Sequence, residues 1–213
     1  MRPGRRHAAF LFIQEQKLFF ETDRFKRAIV TIDAANAQDP QSAHWKDHHG
    51  PRELLFAQCV YHWVMQLDGE ASESLLLAAR AHTLRRWEVP RSKYAMNRIG
   101  YHEWRDACAA YHAQIAEKML REQGYEDATV NQVLALIVKK NWLTDPEART
   151  LEDADCLAFL EMKLASYVDE WEAEKAINIL RRSLRKMTPK ARELATTIEL
   201  DPRAAELLKR ALV

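Results

Sequence analysis

Three titratable residues share the apolar stripe of segments with helical periodicity, and their types suit a divalent metal. His82 lies seven positions after Leu75, four after Ala78 and three after Ala79, so it occupies their face. His112 follows Cys108 by four and precedes Ile115, Ala116 and Met119 by three, four and seven. Asp155 follows Leu151 by four and precedes Ala158, Phe159 and Met162 at the same steps. Two imidazoles and a carboxylate are donors that Mn, Fe or Zn accepts. A metal so held would lower the pKa of a bound water and supply hydroxide. The structural alternative is that each inward His bonds a backbone carbonyl and Asp155 pairs with an arginine, because a buried carboxylate needs a partner.

A second set of residues suits phosphate. Between Arg80 and Asp106 stand Arg80, Arg85, Arg86, Arg91, Lys93, Arg98 and Arg105 against Glu88, Glu103 and Asp106, interleaved with Trp87, Tyr94, Tyr101 and Trp104. Guanidinium groups bind phosphate bidentately, and aromatic faces stack on bases or on arginine itself. The segment therefore reads either as a site for a nucleotide or small phosphorylated ligand or as an Arg–aromatic cluster that closes a loop. The candidate ligand residues are Arg85, Arg86, Arg91, Tyr94, Arg98, Tyr101, Trp104 and Arg105. Further on, residues 152–174 hold eight acids and one lysine, whereas Lys175 to Lys190 hold six basic residues and no acid. That block is a solvated face, acids that neutralise the Arg-rich segment, or an RNA contact through Arg181, Arg182, Arg185 and Lys186.

Helices must position these groups. Periodicity predicts them over Asp23–Asn36, Pro51–Leu67, Ser72–Glu88, Tyr101–Gln123, Asp127–Lys140, Thr150–Tyr167 and Glu172–Met187. Thr188-Pro189 and Asp201-Pro202 read as caps that open two short final helices. The polar stretch Gln38–Gly50 reads as a loop, and no strand pattern is evident. The expectation is an all-α, single multi-helix domain over residues 23–213, preceded by a helical extension over residues 1–22.

Composition narrows the function classes. Only five glycines occur in 213 residues, at positions 4, 50, 69, 100 and 124. Neither a Walker phosphate loop nor a dinucleotide fingerprint can be built from glycines so dispersed. A phosphate would be held by side chains. Thirty-two Lys and Arg against 31 Asp and Glu leave no global field toward nucleic acid. Three separated cysteines read as small apolar residues of a reducing compartment. The basic start is followed by only six apolar residues, too few for a secretory or membrane segment, so a cytoplasmic, membrane-free protein is expected.

The motif order resembles the HD superfamily of metal-dependent phosphohydrolases, all-helical proteins with a His on an early helix, a His-Asp pair and a late Asp. Glu53–Val60 resembles the early helix, Ala78-Ala79-Arg80-Ala81-His82-Thr83 the pair and Leu151-Glu152-Asp153-Ala154-Asp155 the late motif. His112 resembles an additional helix-start His. Thr83 replaces the paired Asp and Phe56 the first His, with Glu53 one turn earlier as a substitute carboxylate. The implied metal ligands are His82, His112, Asp155 and Glu53. A second resemblance spans Asp23 to the C-terminus and is to the uncharacterised family called domain of unknown function 4202. It rests on Ile32-Asp33-Ala34-Ala35-Asn36, Arg85-Arg86-Trp87-Glu88-Val89-Pro90-Arg91, Tyr94, Met96, Arg98, Gly100-Tyr101, Trp104-Arg105, Thr150-Leu151-Glu152-Asp153 and Leu157-Ala158-Phe159-Leu160-Glu161. Three functions remain open: a metal-dependent phosphohydrolase of a nucleotide or small phosphoester, a catalytically degenerate module binding a nucleotide or RNA, and a helical interaction protein.

Overall fold

The computed structural model describes residues 22–212 apart from 140 and 171, with 168–170 described in backbone only. The expected extension over residues 1–22 lies, save for Thr22, outside the described residues. Helix α1 spans Asp23–Asn36, and Thr22 caps it by accepting a hydrogen bond from the Phe25 amide at 3.1 Å. It buries Phe25, Ala28, Ile32 and Ala35.

The stretch expected as a loop contains a hairpin, β1 (Ser42–Trp45) paired antiparallel with β2 (His48–Pro51), so the reading without strands is corrected. His44 stands opposite His49, and Trp45 is buried. The turn begins at Lys46, whose φ is +53°. That conformation is normally signalled by Gly or Asn, which is why the sequence concealed it.

Helix α2 (Arg52–Leu67) runs through the core, and α3 (Glu73–Ala81) is capped by Ser72. Short 3₁₀ turns follow at Arg86–Glu88 and Arg91–Lys93. The chain then enters α4 (Arg98–Glu122), capped by Asn97, whose side chain accepts from the Gly100 amide at 2.9 Å. Gly124, at φ +79°, lies just beyond the end of α4, the position where a left-handed residue terminates a helix. Next come α5 (Asp127–Ile137), α6 (Pro146–Met162) and α7 (Leu164–Glu170). The last three are α8 (Ala173–Lys186), α9 (Pro189–Ala195) and α10 (Pro202–Leu212). Thr188 caps α9 from its hydroxyl, and Asp201 accepts from the Arg203 and Ala204 amides at the start of α10. The fold is all-α. No helix is long and apolar enough to cross a membrane among the described residues.

Several predicted boundaries move: α4 starts at Arg98 and not Tyr101, α5 ends at Ile137 and not Lys140, and the helix expected over Thr150–Tyr167 is broken at Lys163 into α6 and α7. The helix expected to reach Glu88 stops at Ala81, and α6 begins at Pro146, capped by Asp145, four residues before the expected start. The core packs α2 against α6, with α3 wedged between α2 and α5. Val60, Val64, Leu75, Leu77, Leu151 and Leu157 are fully inaccessible there. The carboxylate of Glu161, on α6, ties the hairpin to this core. It accepts hydrogen bonds from the indoles of Trp45 (2.9 Å) and Trp63 (2.8 Å) and from the Cys59 thiol at 3.3 Å. Burial, then the Glu161 charge, pushes the Cys59 thiol well above its ordinary value. The three cysteines are unbridged.

Candidate functional site

Two sequence motifs that stand 44 to 49 residues apart are bolted together. Arg80 forms a two-pronged ion pair with Asp33, its Nε lying 3.0 Å from Oδ1. The Asn36 side chain, with no exposed surface, donates to the Arg80 carbonyl at 3.4 Å and accepts from the Arg85 amide at 3.1 Å. These bonds explain the early end of α3. The chain leaves the helix at His82, and Arg85 is held at φ +54°. The turn His82-Thr83-Leu84-Arg85 is thereby fixed under α4.

The turn presents His82 to Asp155. Its Nδ1 lies 3.1 Å from the Ala79 carbonyl and therefore donates, while Nε2 lies 3.3 Å from Asp155 Oδ1. The other oxygen of Asp155 is 2.6 Å from Lys139 Nζ, which also reaches Glu152 at 2.5 Å. Lys186 approaches Glu152 from the other side at 3.4 Å. Burial opposes the charge of Lys139, but Asp155 and Glu152 overcome it and raise its pKa. Burial likewise opposes ionisation of Asp155, and Lys139 with His82 outweighs it, holding that carboxyl well below the usual range. The structural alternative to metal ligation gives Asp155 an arginine as its partner. The structure supplies a lysine at the left-handed end of α5 (φ +53°), with His82.

His112 is buried beneath the same turn, with Nδ1 2.6 Å from the Leu84 carbonyl. Burial, then the charge of Arg86, lowers its pKa to about 3, so it is a neutral ring whose Nε2 carries a lone pair. That Nε2 has no partner, nor have Thr83 Oγ1 and Glu53 Oε2, all inaccessible to solvent. The other oxygen of Glu53 takes Arg52 Nε at 3.2 Å.

The four residues implied as metal ligands are thus joined only in part. His82 and Asp155 meet, and His112 lies within electrostatic reach of His82. Lys139 holds the second oxygen of Asp155, Arg52 holds Glu53, and no group of three or more His, Cys, Asp or Glu stands in position to hold a metal among the described residues. As arranged, these donors do not form a metal cage.

The Arg-rich segment divides. Arg91 donates to the carbonyls of Tyr94, Ala95 and Asn97 at 3.1, 2.7 and 3.4 Å, which closes the loop on itself. Arg85 pairs with Glu88, and Glu88 also accepts from the Tyr111 hydroxyl. Trp104 donates from its indole to the Val89 carbonyl, and Tyr101 packs beside it. Arg98 and Tyr101 are exposed, and Tyr94 is half-buried. Arg86 lies over the Trp104 ring at 4.6 Å, and its charge acts on His112 and on Lys163. Burial opposes the charge of Arg105, and Tyr101, Asp155, Glu152 and Asp106 together overcome it and raise its pKa.

Lys163, at the end of α6, completes the centre. Its Nζ sits 3.4 Å above the Phe56 ring, and burial, opposed by the charge of Glu53 and reinforced by that of Arg86, lowers its pKa. Sequence reasoning named neither Lys139 nor Lys163. Each terminates a helix at a position that no cap motif marks.

A model of the family described as Domain of unknown function (DUF4202) matches residues 26–208. No curated protein and no solved structure matches the chain.

Proposed function

The chain belongs to the DUF4202 family, and from that premise we propose that it binds a small phosphorylated ligand, a nucleotide or phosphoester, over the His82–Asp155 centre. One observation carries the reading. Arg86, Arg105 and Lys163 surround this centre, each half-buried and none within ion-pair distance of a carboxylate among the described residues. Half-buried cations with no carboxylate in ion-pair contact favour an anion, and two guanidinium groups with one ammonium match the oxygens of a phosphoryl group. The Thr83 hydroxyl, buried and unpartnered, supplies a further donor. The Trp104 ring behind Arg86 offers a stacking face for a base.

The reading is tested by calorimetric titration of the full chain with adenosine monophosphate, other nucleotides and inorganic phosphate. Saturable binding is expected, weakened at least tenfold in Arg86→Ala with Arg105→Ala. Arg91→Ala is expected to lower stability and leave affinity largely intact. Absence of binding to every phosphorylated probe, with an unaltered melting temperature, favours a helical interaction protein.

A second reading, a metal-dependent phosphohydrolase, is favoured by the lone pair of His112 Nε2 and the open oxygen of Glu53. It requires Asp155 to exchange the Lys139 ammonium for a metal. Elemental analysis for Mn, Fe and Zn in protein purified without chelator decides it. Stoichiometric metal that is lost in His112→Ala supports hydrolysis; no metal, and no thermal shift on adding any of the three, overturns it.

A further inference from the structure

The last three helices carry a charge that the rest of the chain conceals. From Lys175 onward there are ten Lys and Arg against four Asp and Glu, in a chain whose overall charge is only +1. Three of these arginines converge on one cavity of about 320 Å³, lined by Arg181, Leu184, Arg185, Arg192, Ala211 and Leu212. The arginines come from two helices: Arg181 and Arg185 one turn apart on α8, and Arg192 on α9. Leu184, Ala211 and Leu212, from α8 and α10, form the apolar lining.

Arg181 is oriented by a hydrogen bond to the Arg210 carbonyl at 3.3 Å. Arg185 and Arg192 have no side-chain partner among the described residues and are exposed. No acid lines the cavity. The volume lies at the lower end of small-molecule sites, which run from about 300 Å³ upward. None of the lining residues is aromatic, so there is no platform for nucleobases, which argues against single-stranded RNA. Guanidinium groups beside an aliphatic lining match a ligand with an oxyanion head and a short hydrocarbon body.

We propose that the cavity between α8, α9 and α10 is a second ligand site, distinct from the His82–Asp155 centre, for an aliphatic carboxylate or phosphate monoester. The head sits among Arg181, Arg185 and Arg192, and the chain lies along Leu184, Ala211 and Leu212. Carboxylate and phosphate heads share this chemistry, and the experiment separates them.

The test is calorimetric titration of the full chain with monomeric decanoate and decyl phosphate, alongside decanol and inorganic phosphate. At least one amphiphilic anion should bind tenfold or more tightly than both decanol and phosphate, and the tighter of the two identifies the head. Arg185→Ala with Arg192→Ala should weaken it at least tenfold, and the double lysine variant should recover part of the loss. Both pairs are exposed, and an unchanged helical circular-dichroism spectrum and melting temperature verify folding. Arg86→Ala should leave this affinity unchanged, which separates the site from the one proposed above. Decanol binding as well as the anions, no loss in the double alanine variant, or displacement of the anion by a single-stranded RNA oligomer would overturn the proposal.

Discussion

Single side chains at the His82–Asp155 centre have consequences that solution measurements can read. In the fold, His112 takes no proton until about pH 3, whereas an unperturbed histidine does so near 6.5. As pH falls through 6.5 the unfolded chain binds that proton first, so stability is lost between about pH 6.5 and 3, at up to about 1.4 kcal/mol per pH unit. His112→Asn keeps a donor for the Leu84 carbonyl and removes the titration. Urea denaturation at pH 7 and pH 4 should therefore show a smaller loss in that variant than in the parent. Lys139 acts oppositely. Replacing it with Met leaves Asp155 and Glu152 without their shared cation, a loss of about 3 kcal/mol; an unchanged urea midpoint would refute the assignment. The inward placement of His82 and His112 was legible because helical spacing alone puts a residue on a stripe. Asp155, by contrast, is only half-buried, and the acids that α6 buries are Glu152 and Asp153. Which partner each would meet was not legible, because Lys139 reaches Asp155 only through the packing of α5 on α6 and the left-handed turn between them.

At the scale of elements, the joints matter more than the helices. Periodicity and caps located α1 and the openings of α9 and α10, where Thr188-Pro189 and Asp201-Pro202 are local signals. They overran the end of α3, because that helix is stopped by Asn36 from 44 to 49 residues away and not by a Gly or Pro in its own sequence. Asn36→Ala strands the Arg85 amide, and thermal or urea unfolding should show a loss of about 2 kcal/mol. It should also weaken phosphate binding, through displacement of the turn rather than loss of a ligand. The start of α4 is equally dependent on one joint. A Cβ at Gly100 would overlap the Ala95 carbonyl oxygen and lie 2.8 Å from its nitrogen. Gly100→Ala should therefore displace the segment that Arg91 closes. Faster amide exchange over residues 91–101, with α1 to α3 unaffected, is the expected pattern.

Across the whole molecule, tertiary bonds weld distant stretches of chain into one body. The buried carboxylate of Asp153, on α6, accepts from the Thr188 amide at 3.1 Å and from its hydroxyl. Lys190, on α9, donates to the Leu67 carbonyl at 2.7 Å. Asp153→Ala should loosen α8 to α10 relative to the remainder, visible as a broadened or two-step thermal transition in place of a single one. The cationic surplus of these last helices was legible as the acid-free block Lys175–Lys190, but that Arg181 and Arg185 meet Arg192 at one cavity was not, because it depends on how α9 and α10 pack against α8.

Glu161 makes one of these welds observable without a label. It holds the indoles of Trp45, on the hairpin, and Trp63, on α2, in one buried hydrogen-bonded pair. Trp45 is shielded from water only while β1 and β2 lie against the core. Undocking of that hairpin would wet Trp45 and free one side of the shared carboxylate, so the part of the tryptophan emission that is lost in Trp45→Phe is a built-in optical gauge of whether the hairpin is closed.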